Sequence, residues 1–194
     1  WITITTFYLK YRPQKIADLD LEQVRIRLSE ILSVSDQNMP HAFLFSGPKG
    51  LGKTSAARIL AKAINCEHKK KGNIEPCNKC DICLGITNGS NLDLIEIDAA
   101  SNRGIDEIRD LREKIKLSPI SARFKVYIID EAHMLTTEAF NALLKTLEEP
   151  PSHAIFILCT TEIGKLPATI VSRLQKFNFS RAKGEDLEKV IFKI

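Results

Sequence analysis

The stretch AFLFSGPKGLGKTSAARILAKAI, residues 42–64, runs from a short apolar segment through a glycine-rich turn into an alanine- and leucine-rich segment that favours helix. The turn itself, Gly47, Pro48, Lys49, Gly50, Leu51, Gly52, Lys53 and Thr54, satisfies G-x-x-x-x-G-K-[ST] in full, and it lies between a predicted strand and a predicted helix, where the chemistry requires it. Its glycines let the backbone curl until N–H groups face a phosphate, and the helix that follows directs its positive end to the same place. Lys53 is then placed to reach the β- and γ-phosphates, and Thr54 to offer its hydroxyl to Mg²⁺. A plain glycine-rich turn before an ordinary helix is the competing reading, and the correct flanking elements disfavour it.

Outward from this point the same pattern repeats. Strands are predicted over 92–99, 124–130 and in AIFILCT, and they alternate with helices in IDEIRDLREKIKL and TEAFNALLKTLEE. Upstream, Leu21, Val24, Leu28, Ile31 and Leu32 share one face at helical spacing. Alternating strands and helices of these lengths imply an α/β fold with a parallel sheet covered on both faces, and the near-continuous apolar runs VYII and AIFIL fit strands buried on both sides. VYIIDEAH also brings an acidic pair to a strand end. Asp130 is expected to hold Mg²⁺, mostly through water, and Glu131 to orient or deprotonate an attacking water.

The chain has 194 residues and a formal charge of +4, enough for one substantial domain and mildly basic, which permits a polyanionic partner without demanding one. No apolar run approaches the ~18 residues of a membrane span, and no signal peptide is recognisable, so a reducing cytoplasm is the expected compartment. In that setting clustered cysteines point to metal ligands or redox groups rather than structural disulfides. Cys66, Cys77, Cys80 and Cys83 follow C-x10-C-x2-C-x2-C, a pattern that suits a closed, structural, tetrahedral Zn²⁺ site. Iron–sulfur ligation is the alternative, though the C-x3-C-P continuation usual for such clusters is absent, and His68 could replace one thiolate. Cys159 reads as core packing, and Lys69-Lys70-Lys71 as a solvated loop. The tail EDLEKVIFKI reads as a helix that stops without a cap, so the chain is expected to end inside a larger protein.

The strings HAFLFSGPKGLGKTSAARILAKAINC, DLIEIDAAS, FKVYIIDEAHML, FNALLKTLEEPP and TTEIGKLPATIVSRLQKF together resemble the gamma/tau family of bacterial DNA polymerase III subunits, the ATPase motors of the replicative sliding-clamp loader within the AAA+ superfamily. The resemblance covers the chain from about Tyr8 to its end. It implies a RecA-like P-loop NTPase domain over 1–180, with a Cys₄ zinc knuckle inserted at about 65–85, and the beginning of a helical lid over 181–194. It implies ATP, Mg²⁺ and structural Zn²⁺ as cofactors, and ATP hydrolysis that opens the clamp and loads it on primed DNA. The implied partners are delta- and delta-prime-type subunits, further copies of the chain, the clamp and primer-template DNA, in the cytoplasm at the replisome. By residue, it implies a sensor role for Thr161, with Thr160 the neighbouring possibility, an arginine finger acting in trans for Arg173, and a place beside the adenine for Arg12 and Pro13. Leu174 stands where the family usually has cysteine, and Asp20-Leu21 where it usually has Gly-Gln. Lys145 and Arg103 match possible DNA contacts, and a solvated surface position is an equal alternative for each. A non-hydrolysing scaffold subunit, or another AAA+ motor such as a branch-migration helicase, are the alternative functions.

Overall fold

In the computed structural model, residues 12–34, 38–69, 72–102 and 104–180 are described. Five strands, β1 (Ala42–Ser46), β2 (Leu94–Asp98), β3 (Lys125–Asp130), β4 (Ala154–Thr160) and β5 (Gln175–Asn178), form one sheet in the order β2-β3-β4-β1-β5. Every pairing is parallel. The helices are α1 (Glu22–Ser33), α2 (Lys53–Asn65), α3 (Asp81–Asn88), α4 (Ile105–Ile115), α5 (Thr137–Glu148) and the single turn α6 (Ala168–Val171).

Alternation along the strands divides the interior in two. Phe43, Phe45, Val126, Ile128, Ile155 and Ile157 point to one face, where they meet α1, α2 and α3. Leu44, Tyr127, Ile129, Phe156 and Leu158 point to the other, against α4, α5 and α6. This is the three-layer arrangement that period-two side chains produce when helices cover both faces. The amphipathic face expected upstream is present: Val24, Leu28 and Leu32 are buried on α1, and each fully buried aliphatic side chain of this kind contributes roughly 1.5–3 kcal/mol.

Three elements were not anticipated from pattern, the single turn α6 among them. β5 carries only one buried residue, Phe177, because it is an edge strand paired on one side to β1. Helix α3 lies inside the cysteine insertion and packs Ile82, Cys83 and Ile86 into the first interior layer, so the insertion is more than a bare loop. The strand predicted from residue 92 begins at Leu94, because Asp93 is committed elsewhere. Its buried carboxylate accepts from the backbone N–H groups of Ile120 (2.7 Å), Ser121 (2.8 Å) and Ala122 (2.8 Å) and from the Ser121 hydroxyl (3.2 Å). Burial pushes this carboxyl up, but the converging donors outweigh it and hold Asp93 below the usual aspartate value. Asn65 makes a comparable tie: its side chain donates to the Phe124 carbonyl and accepts from the Phe124 N–H, both at 2.9 Å.

Parallel pairing brings the carboxyl ends of β1, β3 and β4 to one edge of the sheet. Ser46 lies opposite Thr160, Ile129 opposite Leu158, and Asp98 opposite Asp130. In open α/β sheets this edge is where ligands bind.

Candidate functional site

At that edge the chain leaves β1 and turns through residues 47–52. Gly47, Gly50 and Gly52 have φ values of 146°, 85° and 79°, in the region that L side chains avoid. At Gly47 space is decisive as well, since a Cβ there would lie 2.0 Å from the Phe179 carbonyl oxygen. Gly52 ends the loop as the left-handed N-cap of α2, with no side chain capping the helix. The helix N-terminus is therefore left with donors directed into the loop.

Lys53 is only 6% exposed, and its Nζ donates to the carbonyls of Gly47 (2.7 Å) and Pro48 (2.9 Å). One residue on, the Thr54 hydroxyl donates to Asp130 Oδ2 at 2.8 Å. This contact spans 76 positions of sequence and joins the glycine loop to the end of β3. The two halves expected of a magnesium nucleotide site are in direct contact.

Glu131 follows in a left-handed backbone conformation (φ 47°, ψ 45°), uncommon for a residue with a side chain and worth about 1–3 kcal/mol of strain. Its N–H donates to Asp130 Oδ1 at 2.9 Å, and its Oε2 accepts from the Thr161 hydroxyl at 3.2 Å. The two threonines face different partners. Thr160 is wholly buried and its hydroxyl is shared by His133 Nδ1 (3.0 Å) and the Glu162 N–H (3.1 Å), whereas Thr161 faces the acidic pair. His133, in the short 3₁₀ turn Ala132–Met134, was not singled out from sequence. Its ring lies 3.5 Å from Glu131 Oε2 on one side and 3.5 Å from Glu162 Oε1 on the other. Its place in the string IIDEAH is the signal that could have found it.

Arg12 Nε donates to Ser55 Oγ at 2.9 Å, on the first turn of α2. Arg12, Pro13 and Gln14 line a narrow cleft against Ser55, Ile59 and Thr87. Arg173 lies elsewhere: it pairs with Glu148 Oε1 at 2.8 Å and donates to the Thr169 carbonyl. Leu174 is buried in the second interior layer with Leu166 and Ile170, so the residue at the usual cysteine position packs as core. Lys145 is exposed on α5, Asp20 is exposed, and Leu21 serves as N-cap of α1. Arg103 and the predicted lid segment 181–194 lie outside the described residues.

The four clustered cysteines converge as well. Their Sγ atoms all lie within 4.8 Å of one another, and Cys77 and Cys83 are 4.0 Å apart. A tetrahedral ion with 2.3 Å metal–sulfur bonds requires sulfurs about 3.8 Å apart. A cluster of iron and sulfide has to fit between its thiolates, so this spacing has room for one ion. The backbone turns toward the sulfurs too. Cys66 Sγ accepts from the Cys77 N–H at 3.4 Å, Cys77 Sγ from the N–H groups of Lys79 (3.4 Å) and Cys80 (3.3 Å), and Cys80 Sγ from that of Cys83 (3.5 Å). Asn78 has a φ of 54°, which allows this turn. Burial pushes the Cys77 thiol up, but those two N–H groups, with His68 and Cys80, draw it down to about 6. Burial raises Cys66 and Cys83, and it is a bound cation that lets such thiols deprotonate. His68 is exposed beside the cluster, and the four thiolates complete the set without it. Cys159, on β4, is fully buried in the first interior layer, with its thiol pushed well up by burial, as core packing requires.

The family profile described as "DNA polymerase III, delta subunit" matches residues 23–183. The chain belongs to this family. Among curated members of the DNA polymerase III group, the chain is 58% identical over 174 residues to DNA polymerase III subunit tau of Bacillus subtilis, an alignment covering 90% of this chain and 30% of that protein. It is 49% identical over 182 residues to the tau subunit of Escherichia coli, covering 93% of this chain and 27% of that one. The expected resemblance to the gamma/tau subunits is thus borne out for their N-terminal region, and the chain spans less than a third of those relatives. Among solved structures, the Thermotoga maritima RuvB Holliday junction branch migration motor superposes with a TM-score of 0.62 at 21% identity, over 93% of this chain and 52% of that one. A DNA polymerase III gamma subunit-related protein of the same organism gives 0.56 at 23%, over 87% and 49%. At those identities the likeness shows the fold alone, an open parallel α/β sheet flanked by helices with a phosphate-loop turn after β1. Among the described residues, no helix is long and apolar enough to cross a membrane.

Proposed function

We propose that the chain is the nucleotide-binding domain of a motor subunit of the bacterial replicative clamp loader, which binds and hydrolyses ATP to open the sliding clamp and load it on primed DNA. The observation that carries this reading is the 2.8 Å bond from Thr54 to Asp130, made where a complete glycine loop meets a helix N-terminus. In this reading the N–H groups of residues 49–54 cradle the phosphates, while Lys53 leaves the Gly47 and Pro48 carbonyls to reach the β- and γ-phosphates. Thr54 and Asp130 hold Mg²⁺, which supplies charge neutralisation between the phosphates when bound. Glu131 takes the proton of the attacking water or orients it, and Thr161, hydrogen-bonded to Glu131, stands as the sensor near the γ-phosphate. Arg12 and Pro13 flank the base.

Arg173 acts in trans on a nucleotide held by a neighbouring copy, a role supported by its position away from its own phosphate loop and its partial exposure beside Glu148. Zn²⁺ is the ion of the four-thiolate site, and its role is structural, because four ligands leave no open position. The domain extends over 1–180, with the lid beginning at 181. Partners are delta- and delta-prime-type subunits, the clamp and primer-template DNA at the cytoplasmic replisome, with Lys145 and Arg103 as phosphate contacts. The delta-subunit description of the matching family favours a second reading, a non-hydrolysing scaffold. The intact Lys53, Thr54, Asp130 and Glu131 weigh against it.

The test is ATP turnover by the full-length protein reconstituted with partner subunits, with and without clamp and primed DNA, alongside Lys53→Ala. Turnover stimulated by both clamp and DNA, and abolished by the substitution, is the expected result. Equal turnover in the Lys53→Ala assembly would refute the site, and binding without turnover would leave the scaffold.

A further inference from the structure

Helix α2 has the phosphate loop at its start and Cys66 at its end, as C-cap. At 1.5 Å per residue its 13 residues separate the two by about 20 Å. A second connection runs alongside it. Asn78, inside the turn between Cys77 and Cys80, donates from Nδ2 to the Gln14 carbonyl at 3.1 Å and accepts on Oδ1 from Lys62 Nζ at 2.7 Å. Lys62 Nζ also donates to Gln14 Oε1 at 2.7 Å. Lys62 is 2% exposed, and burial lowers its pKa, so its ammonium depends on these oxygens for the solvation it has lost. Two residues before Cys77, the Glu75 carboxylate accepts from the N–H groups of Ile16 (2.8 Å) and Ala17 (2.9 Å), at the start of the 3₁₀ turn Ile16–Asp18. Gln14 in turn donates from Nε2 to the Arg12 carbonyl at 3.2 Å, and Arg12 bonds Ser55 beside Thr54.

The cysteine knuckle therefore holds the backbone of residues 14–17, and that segment places Arg12 and Pro13 over the first turns of the phosphate helix. We infer that the knuckle is coupled to the nucleotide site: Asn78 and Glu75 are positioning residues that set the base-side wall of that site, so the metal-bound geometry of the knuckle supports nucleotide affinity. The inference rests on the proposed nucleotide reading. A knuckle that served only to fold its own loop needs no polar contact with residues 14–17. By reciprocity, nucleotide occupancy must tighten metal retention to the same degree.

The experiment uses the full-length protein with Asn78→Gly, which keeps the left-handed turn and removes both side-chain bonds, and with Glu75→Gln, which removes the charge opposite two N–H groups. Equilibrium binding of a non-hydrolysable ATP analogue and of inorganic tripolyphosphate is measured, together with metal content and metal affinity against a chelator. The expected result is a loss of ATP-analogue affinity of roughly threefold to tenfold in each variant, the scale of one or two hydrogen bonds. Metal stays at one per chain and tripolyphosphate binding is unchanged, a split that general destabilisation does not give. The analogue should also raise metal affinity in the parent protein, and do so less in the variants. If the variants keep their metal and bind the analogue as the parent does, or lose analogue and tripolyphosphate equally, the coupling is overturned. Failure of the nucleotide reading is separate: the parent and Lys53→Ala would then bind the analogue alike.

Discussion

The phosphate loop and the cysteine knuckle stand at the two ends of one helix, and in both the backbone turns its N–H groups toward a point that gathers negative charge. A positive helix end serves each, that of α2 at the phosphate loop and that of α3, whose N-cap is Cys80, at the sulfurs. The difference is in who supplies the anion. The knuckle carries its own, four sulfurs within 4.8 Å of one another, a set with room for one ion. The phosphate loop carries donors only, and its lysine rests on the carbonyls of Gly47 and Pro48. A site that lacks its own counter-charge is built for a ligand that comes and goes, and a site that has four thiolates is built for one that stays.

Substitutions can break this comparison at its open end, at its closed end, or outside both. The largest effect is expected from Arg173→Ala in the reconstituted assembly: nucleotide binding and metal content hold, while stimulated hydrolysis falls on the order of 10³-fold, the scale for a finger acting in trans. Loss of binding in parallel with turnover would place Arg173 in its own chain's site. Next is Cys80→Ser, which removes one metal ligand and the sulfur that caps α3. Metal analysis should fall from about one zinc per chain to well below it, and the unfolding transition should shift down by about 2–5 kcal/mol, the scale of losing a structural ion or staple in a small module. A parent sample that contains iron, or no metal, would overturn the zinc assignment.

The smallest effect sharpens the comparison by touching neither end. Asp93→Asn puts an amide where three N–H groups converge and should cost about 1–3 kcal/mol in denaturant unfolding, with nucleotide and metal binding intact. Because the Asp93 carboxyl is held below its ordinary 3.8, its contribution is fully present above that value and is lost as the pH falls through the lower folded value. The parent protein should therefore lose stability more steeply than Asp93→Asn in the acid limb below about pH 4, and parallel acid limbs would remove Asp93 from the account.

Legibility followed the range of the interaction. The β4 strand was read in full because a run of six apolar residues ending in Thr160 and buried on both faces has only local requirements, whereas the edge strand β5, with a single buried Phe177, had no pattern to read. The chemistry of residues 47–54 was legible because its motif is contiguous and each residue type answers to a backbone or phosphate need. Asn65, Asp93, Lys62 and Glu75 escaped notice because each is an ordinary polar residue until its partner, 16 to 59 positions away, is brought to it. The knuckle fell between the two cases. Its spacing announced four ligands, but the helix α3, which combines Gly85 with β-branched residues, depends on packing Ile82 and Ile86 against α2.

By itself the amino-acid sequence determined the alternation of strand and helix, the glycine loop and the four-thiolate set, because periodicity, φ > 0 at glycine and C-x2-C turns are settled within a few residues. Only the tertiary structure decided that Thr54 meets Asp130, that Thr161 rather than Thr160 faces Glu131, and that residues 14–17 are held by the knuckle. Those contacts join segments whose separation along the chain gives no local preference for meeting. They form because parallel pairing aligns the carboxyl ends of β1, β3 and β4, and because a buried ammonium, carboxylate or amide must find its partner wherever the packed layers bring one.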